Sequence, residues 1–262
     1  MKIFAISIAR SARRHAYIRN HLAARTRNDW ELVGVDGSEL RGKGGDWLHN
    51  AALTSAQVGC ALSHVLACTR LVESGLHAAL IVEDDVILPT DIDEILSTVS
   101  RVIRSDEVIS LYNRTMKLEY FSRHHAAAIG RRQLVVPLEA RVMRTTAAYV
   151  IGHEAARRMS LLNSPVEYTA DDWDAFHRNG VVGTFRLLHP IPVRLYPFES
   201  TLSHDRDGIS LRALKRVVGL LPFHGRLRAL RRQSIERRRE GNVALTDEPS
   251  PLSGEFGARS CE

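Results

Sequence analysis

The sequence predicts an α/β protein with a mostly parallel central sheet and flanking helices, and three observations support this fold class. β-type runs alternate with helical patterns through the first half of the chain, as crossover connections between parallel strands require. The run AALIV at 78–82 is apolar throughout, which is typical of a central strand covered on both faces. The sequence TSAQ at 54–57 forms a capping box, which predicts that a helix begins there and leads into the strand 78–82.

The other elements follow from hydrophobic periodicity and from the residues that interrupt it. The predicted strands are 2–8, 30–35, 78–82, 107–112, 134–137, 141–151 and 187–195. The predicted helices are 11–24, 54–74, 91–101, 153–162 and 171–178. The predicted less polar face of the second helix is Leu62, Val65, Leu66, Thr69 and Val72. Residues 113–133 are polar and predicted to be irregular, and Pro190 and Pro192 place the last strand at a sheet edge.

The positive charge of the chain is concentrated near its C-terminus. The whole chain carries +6, whereas residues 211–240 carry +8 and residues 241–262 carry −3. One apolar helix face is predicted in the basic part, formed by Leu211, Leu214, Val218 and Leu221. We therefore divide the chain into a main domain (1–208), a basic amphipathic helical segment (209–240) and a disordered tail (241–262).

The N-terminal sequence MKIFAISIARSARR predicts a cytoplasmic protein. A very short apolar run followed by arginines has the wrong order and length for a secretory signal. No apolar run approaches the roughly 20 residues that span a bilayer. Basic amphipathic segments can lie on anionic membranes, so residues 211–240 are expected to hold the protein peripherally on the inner face of the cytoplasmic membrane. The alternatives are a solvated helix that packs on the main domain and a nucleic-acid-binding segment.

Three consecutive carboxylates, Glu83, Asp84 and Asp85, end the buried strand 78–82. Ligands of open α/β sheets bind beyond the carboxyl ends of the strands. Adjacent carboxylates repel one another, so such a triplet is costly unless a cation offsets its charge. Hard divalent cations such as Mn²⁺ or Mg²⁺ prefer oxygen ligands and often share them with phosphates. The triplet therefore favours a metal site that holds a nucleotide diphosphate; a solvated turn is the alternative.

The sequence around this triplet follows a pattern that recurs in a known family. Residues 54–88, TSAQVGCALSHVLACTRLVESGLHAALIVEDDVIL, are similar to LT-x-GE-x-GC-x-LSH followed by an apolar strand ending in EDD. Three further segments are similar to motifs of the same pattern. ISIARSARR (6–14) is similar to INLDRRPDRR, and Val35-Asp36-Gly37 is similar to AVDG. TTAAYVIGHEAARRM (145–159) is similar to G-x-x-AY-x-IS-x-x-AA-x-x-L. Over about residues 1–200 the chain thus resembles glycosyltransferase family 25. It departs from the pattern at Ser7, Ala9 and Gln57, where the family has Asn, Asp and Glu.

The resemblance implies a GT-A-type fold and a metal-dependent, inverting hexosyltransferase. The implied donor is a UDP-sugar, with galactose as the expected hexose, and the implied acceptor is a lipid-linked lipooligosaccharide or another cell-surface glycan. Asp85 and Glu83 would bind Mn²⁺ or Mg²⁺, and Glu83 and Asp84 would contact the donor nucleotide. His204 is a candidate third metal ligand. His64, which matches the family's SH, is a candidate donor contact.

Three arginines, Arg10, Arg13 and Arg14, follow the first strand and are expected at the same sheet edge as the triplet. An arginine side chain can bind phosphate oxygens through a fork of N–H donors, so all three are candidate donor-binding residues. The alternative is that they are solvated residues of the helix 11–24.

The sequence TADDWDAF contains the candidate catalytic base. Inversion in one displacement needs a base that deprotonates the acceptor hydroxyl. Asp172 is the first candidate for this base and Asp171 the second, because the family carries an Asp after its AY segment. The alternative is that one of them caps the short helix 171–178. Trp173 could stack on a sugar or pack in the core.

Two other function classes are open at this point. A Mg²⁺-dependent phosphotransferase or phosphohydrolase would also place carboxylates at a strand end. It would usually carry a glycine-rich phosphate loop or an Asp nucleophile after the first strand, which here ends in Ile8-Ala9-Arg10. A nucleic-acid-binding protein would use residues 211–240 but would leave the triplet without a role, so nucleic acid is not an expected partner. Acceptor choice is assigned to residues 113–133 and 164–172.

Overall fold

The computed structural model describes residues 1–40, 50, 52–114, 117–198 and 242–253. The strands are β1 Lys2–Ile6, β2 Trp30–Val33, β3 Ala78–Glu83, β4 Val86–Ile87, β5 Glu107–Ser110, β6 Glu119–Ile129, β7 Arg132–Pro137, β8 Ala148–Gly152, β9 Thr184–His189, β10 Arg194–Leu195 and β11 Val243–Thr246. The helices are α1 Ala12–Arg25, α2 Ser55–Glu73, α3 Ile92–Val102, α4 His153–Leu162 and α5 Trp173–Arg178. Short 3₁₀ turns lie at Gly37–Leu40, Ala140–Val142 and Pro251–Ser253.

Nine of the strands form one mixed sheet in the order β11-β6-β7-β9-β5-β8-β3-β1-β2. The pairings make seven strands run in one direction, with β7 and β8 opposed to them. The prediction of a mixed α/β fold with a mostly parallel sheet is therefore confirmed. The carboxyl ends of β1, β2 and β3 consequently share one edge of the sheet.

The core lies on both faces of this sheet. Alternate residues of β3 enter different clusters: Ala79 and Ile81 pack with α2, α4 and α5, whereas Leu80 and Val82 pack with α1 and α3. Every residue from Ala78 to Val82 is buried. The prediction of a central strand covered on both faces is thus confirmed, and the triplet follows a strand with no solvent-facing side.

α2 begins as predicted, but its buried face differs from the prediction. Thr54 and Gln57 form the reciprocal capping box. The buried residues are Val58, Gly59, Ala61, Ser63, His64, Val65, Ala67, Cys68 and Leu71. Most are small, which lets the helix backbone approach its neighbours, while the larger residues of the predicted stripe other than Val65 lie partly buried at the margins. Among the described residues, no helix has both the length and the apolar character needed to cross a bilayer.

The prediction that residues 113–133 are irregular is wrong for most of that range. β6 occupies Glu119–Ile129 and pairs with β7 in antiparallel register. The register shifts between Ser122 and Ala127, which breaks the two-residue alternation that would identify a strand. These residues are therefore a sheet strand and not an open acceptor loop.

The prediction of a disordered tail from residue 241 is wrong for residues 242–253. β11 pairs in parallel with β6, and Arg123 Nε lies 2.6 Å from Asp247 Oδ1. Ser250 Oγ donates to the carbonyl of Pro137 at 2.6 Å, and Leu252 is buried. The main domain therefore includes residues from beyond position 208, whereas the predicted basic helix 209–240 lies outside the described residues.

The last predicted strand, 187–195, is also placed differently. β9 lies between β5 and β7 in the sheet interior. Pro190 and Pro192 follow it, so neither proline interrupts its hydrogen-bonded ladder. β10 instead pairs with β4 in a separate two-stranded ribbon.

The close approach of α2 to the turn after β2 gives a stability prediction. A Cβ on Gly59 would lie 2.5 Å from the nitrogen and 2.8 Å from the Cα of Gly37, distances that real Cβ atoms do not adopt. Alanine favours a helix interior over glycine by about 1 kcal/mol. We nevertheless expect Gly59→Ala to destabilise the protein by about 2 kcal/mol, because backbone must move. Urea unfolding measures this change, and a stabilised variant would contradict the packing.

Candidate active site

A cleft of about 580 Å³ opens at the carboxyl ends of β1, β2 and β3. Its lining comes from residues within 6–14, 35–38 and 55–63, and from Glu83 and Asp84. Three sequence segments with long gaps between them therefore meet around part of the acidic triplet. The expectation that the triplet and the residues after β1 lie at one edge of the sheet is confirmed.

The N-terminal half of α2 is held against the cleft by its own backbone and by Ser63. Ser63 Oγ donates to the carbonyl of Gly59 at 2.6 Å and accepts from the backbone N–H of Val35 at 2.9 Å. Together with the Gly59–Gly37 contact, these bonds join α2 to the turn after β2. Cys60 comes to line the cleft as a result.

Arg14 binds two members of the triplet. Its Nε and Nη2 both donate to Asp84 Oδ1, at 2.7 and 2.5 Å, and Nη2 lies 3.1 Å from Asp85 Oδ2. Ser7 Oγ donates to Asp84 Oδ2 at 3.5 Å. Asp84 is only 8% exposed, and the Arg14 guanidinium lies 5.3 Å from the centre of the Phe198 ring. Arg14 therefore offsets the repulsion within the triplet.

Glu83, the first member of the triplet, lines the cleft and contacts a different partner. Thr146 Oγ1 donates to Glu83 Oε1 at 2.9 Å. Burial and then the Asp85 charge raise the pKa of Glu83 to about 7, although the Thr146 hydrogen bond opposes that rise. A cation close to Glu83 would favour its ionised form.

Thr145, the residue before Thr146, adopts an unusual backbone conformation and is hydrogen-bonded to Trp173. Thr145 has a φ of 72°, in the left-handed region that β-branched residues avoid. The indole Nε1 of Trp173 donates to the Thr145 carbonyl at 3.1 Å. Trp173 is 2% exposed and lies edge-on to Tyr149, with ring centroids 5.1 Å apart. The position of Trp173 therefore supports a role in core packing and not in stacking on a bound sugar.

The other two predicted phosphate-binding arginines have separate environments. Arg10 lines the cleft and is largely exposed, with its Nε 2.7 Å from Asp36 Oδ2. The pKa of Asp36 is lowered, because hydrogen bonds from Ser38 and the Arg10 charge outweigh the effect of burial. Arg13 is not part of the cleft lining; its guanidinium lies 5.5 Å from the centre of the Phe198 ring. Of these three arginines, Arg10 and Arg14 thus line the cleft, where a bound ligand could contact them.

The two candidate bases differ in their local roles. Asp172 caps α5, where its Oδ1 accepts from the backbone N–H of Ala175 at 3.2 Å. Asp171 is exposed, and its negative charge raises the pKa of the cleft thiol Cys60, after burial and the Glu83 charge. Asp172, the first-choice candidate, therefore has a structural role as the cap of α5, and neither aspartate is among the residues that line the cleft.

Of the two predicted histidines, His64 lies in the core and is not among the residues that line the cleft. His64 is 1% exposed, and its Nδ1 lies 2.9 Å from the hydroxyl of Tyr149. Burial lowers its pKa to about 3, so the ring is neutral. The expectation that His64 contacts the donor is not supported by this core position. His204 lies outside the described residues.

A divalent cation such as Mg²⁺ or Mn²⁺ requires several oxygen ligands. Within the described ranges, no group of three or more His, Cys, Asp or Glu side chains is arranged so that it could by itself hold a metal ion. Glu83 and Asp85 nevertheless offer carboxylate oxygens, and Mg²⁺ commonly uses one or two carboxylates together with waters and substrate phosphates. The residues present therefore fit such a cation in their chemistry, with the remaining ligands supplied by the substrate and by water.

The chain is thus an α/β protein with a cleft at the carboxyl edge of its sheet. Residues 1–173 match the family model described as glycosyltransferase family 25 (LPS biosynthesis protein). This match covers more than half of the chain, so the chain belongs to glycosyltransferase family 25 and is a glycosyltransferase. Every residue that lines the cleft lies within the matched range. No curated protein gives a match to the chain.

The Arg14 contacts give a second stability prediction. Replacing Arg14 by Ala leaves two nearly buried carboxylates without their main counter-charge, so we expect a loss of about 2–4 kcal/mol of unfolding free energy. The matched control is Arg178→Ala, which removes an exposed ion pair with Asp174 and should change little. Urea unfolding of both variants measures the difference. Equal effects would show that Arg14 does not compensate the triplet.

Proposed function

We propose that this protein is a metal-dependent, inverting hexosyltransferase of the GT-A type. It would move a hexose, expected to be galactose, from a UDP-sugar to a lipooligosaccharide or another cell-surface glycan. The observation that carries the proposal is the acidic triplet at the carboxyl end of β3, two of whose members, Glu83 and Asp84, line the same cleft as Arg10 and Arg14. Family membership supports this class over a phosphohydrolase or a nucleic-acid-binding protein.

The cleft offers chemically distinct regions for the parts of a nucleotide-sugar. Ile8 and Val35 contribute apolar surface, which suits the nucleobase of the donor. Asp36 and Ser38 add polar groups, which suit its ribose. The diphosphate belongs near the triplet. A divalent cation held by Asp85 and Glu83 would supply positive charge to the departing diphosphate.

Asp171 is the base in this proposal. This residue is exposed and therefore accessible to an acceptor, and its charge is one of those that raise the pKa of the cleft residue Cys60. A general base must contact the hydroxyl whose proton it takes. Asp172 has a different task, because its carboxylate caps α5.

Membrane contact through residues 211–240 stays a prediction about residues outside the described ranges. A lipid-linked acceptor on the inner face of the cytoplasmic membrane would give such contact a purpose. β11 follows this segment and pairs with β6. A chain that ends near Ser210 would lose this strand as well as the basic residues. Neutralising substitutions within 211–240, followed by sedimentation with anionic liposomes, therefore isolate the charge effect.

The proposed activity is tested with a panel of UDP-sugars, with and without Mn²⁺. We expect one UDP-sugar to be hydrolysed slowly in the absence of acceptor, and only when the metal is present. Asp85→Ala should abolish this reaction and weaken Mn²⁺-dependent UDP binding, with the fold retained. Asp174→Ala, which changes an exposed carboxylate of α5, is the control. An unaffected Asp85→Ala enzyme would remove the metal-site assignment.

The two aspartates are separated by kinetics and stability. Asp171→Asn should lower turnover by about 10²–10⁴-fold, the range for a general base, with UDP affinity unchanged. Asp172→Asn should destabilise the protein by less than about 1 kcal/mol, because asparagine also caps helices, and should leave turnover within a few-fold. The reverse pattern would return the base assignment to Asp172.

A further inference from the structure

We infer that Thr146 is a positioning residue for the donor site, held in place by the left-handed turn at Thr145. The inference rests on the proposed function because it takes Glu83 to be part of that site. Neither Thr145 nor Thr146 is among the residues that line the cleft.

The first step is the contact between Thr146 and the end of β3. Thr146 is 3% exposed, and its hydroxyl donates to Glu83 Oε1 at 2.9 Å. Next to it, the backbone N–H of Glu83 donates to the carbonyl of Ala147 at 2.9 Å. One segment therefore binds both the backbone and the side chain of Glu83, which fixes the carboxylate at the wall of the cleft.

The second step is the conformation of Thr145. A φ of 72° is unfavourable for a β-branched residue, and such conformations persist only where the surroundings determine them. Two bonds do so here: Trp173 Nε1 donates to the Thr145 carbonyl at 3.1 Å, and Thr145 Oγ1 accepts from the N–H of Ala147 at 3.2 Å. The turn directs the chain so that the next residue, Thr146, meets Glu83.

The third step is the position of Trp173. It is the first residue of α5 and directly follows Asp171 and Asp172. Its ring is buried, edge-on to Tyr149 and to Phe185 at 5.1 and 5.7 Å. A continuous set of contacts thus joins α5, and the candidate base before it, to Glu83. The relative placement of the donor carboxylate and the base depends on this connection.

The test compares Thr146→Val, which keeps the branched shape without the hydroxyl, with Thr146→Ser, which keeps the hydroxyl. The control is Thr69→Val, which removes a hydroxyl that donates to the Val65 carbonyl at 3.0 Å within α2. Binding of UDP in the presence of Mn²⁺ is measured by the shift in melting temperature and by calorimetry. The kcat and KM for the hydrolysed UDP-sugar are measured in parallel.

We expect Thr146→Val to melt close to Thr69→Val but to bind UDP with Mn²⁺ about 10- to 100-fold more weakly, the range for a hydrogen bond to a charged group. Thr146→Ser should restore binding to within about threefold of wild type, since it keeps the donor. Trp173→Phe, which loses the indole donor to Thr145 together with part of the buried ring that packs against Tyr149 and Phe185, should also raise KM and lower kcat.

Two outcomes would overturn the inference. Equal UDP binding by Thr146→Val and Thr69→Val would overturn it while leaving the proposed function in place. Absence of Mn²⁺-dependent UDP binding by the wild-type protein would instead overturn the proposed function, and the positioning role with it.

Discussion

The repulsion among Glu83, Asp84 and Asp85 is the constraint around which this end of the sheet is organised. The three carboxylates follow a strand buried on both faces, so solvent cannot screen them fully. Each one is satisfied differently: Asp84 binds Arg14, Asp85 shares the same guanidinium, and Glu83 accepts from Thr146. One arginine offsets only part of three negative charges. In the proposed function, the remaining negative charge attracts a divalent cation, and that cation in turn binds the diphosphate.

The family pattern around α2 acts mainly as a packing unit that shapes the cleft. Gly59 allows the helix backbone to approach Gly37, and Ser63 bonds to the turn after β2. His64 is a buried neutral partner of Tyr149 on β8. These residues bring α2, β2 and β8 to fixed distances from the triplet. We therefore expect these residues to contribute to the site mainly by fixing its geometry.

The sequence predicted best what local signals control. The Thr54 capping box, the apolar β3 run and the triplet at its end are all encoded within a few residues. β6 was missed because its ladder partner β11 comes from more than a hundred residues later in the chain. The core position of His64 depends on Tyr149, 85 positions away. Asp172 shows the opposite case: a local capping role competed with the predicted catalytic one, and spacing alone could not separate them.

Hydrogen–deuterium exchange of the wild-type protein with UDP and Mn²⁺ tests the central claim most directly, because it locates the donor site without relying on any substitution. The account predicts slower exchange in peptides that cover residues 6–14, 35–38, 55–63 and 83–86, with exchange of β6 and β11 unchanged. Protection confined to β6 and β11, or no protection of the cleft segments under saturating UDP and Mn²⁺, would contradict it.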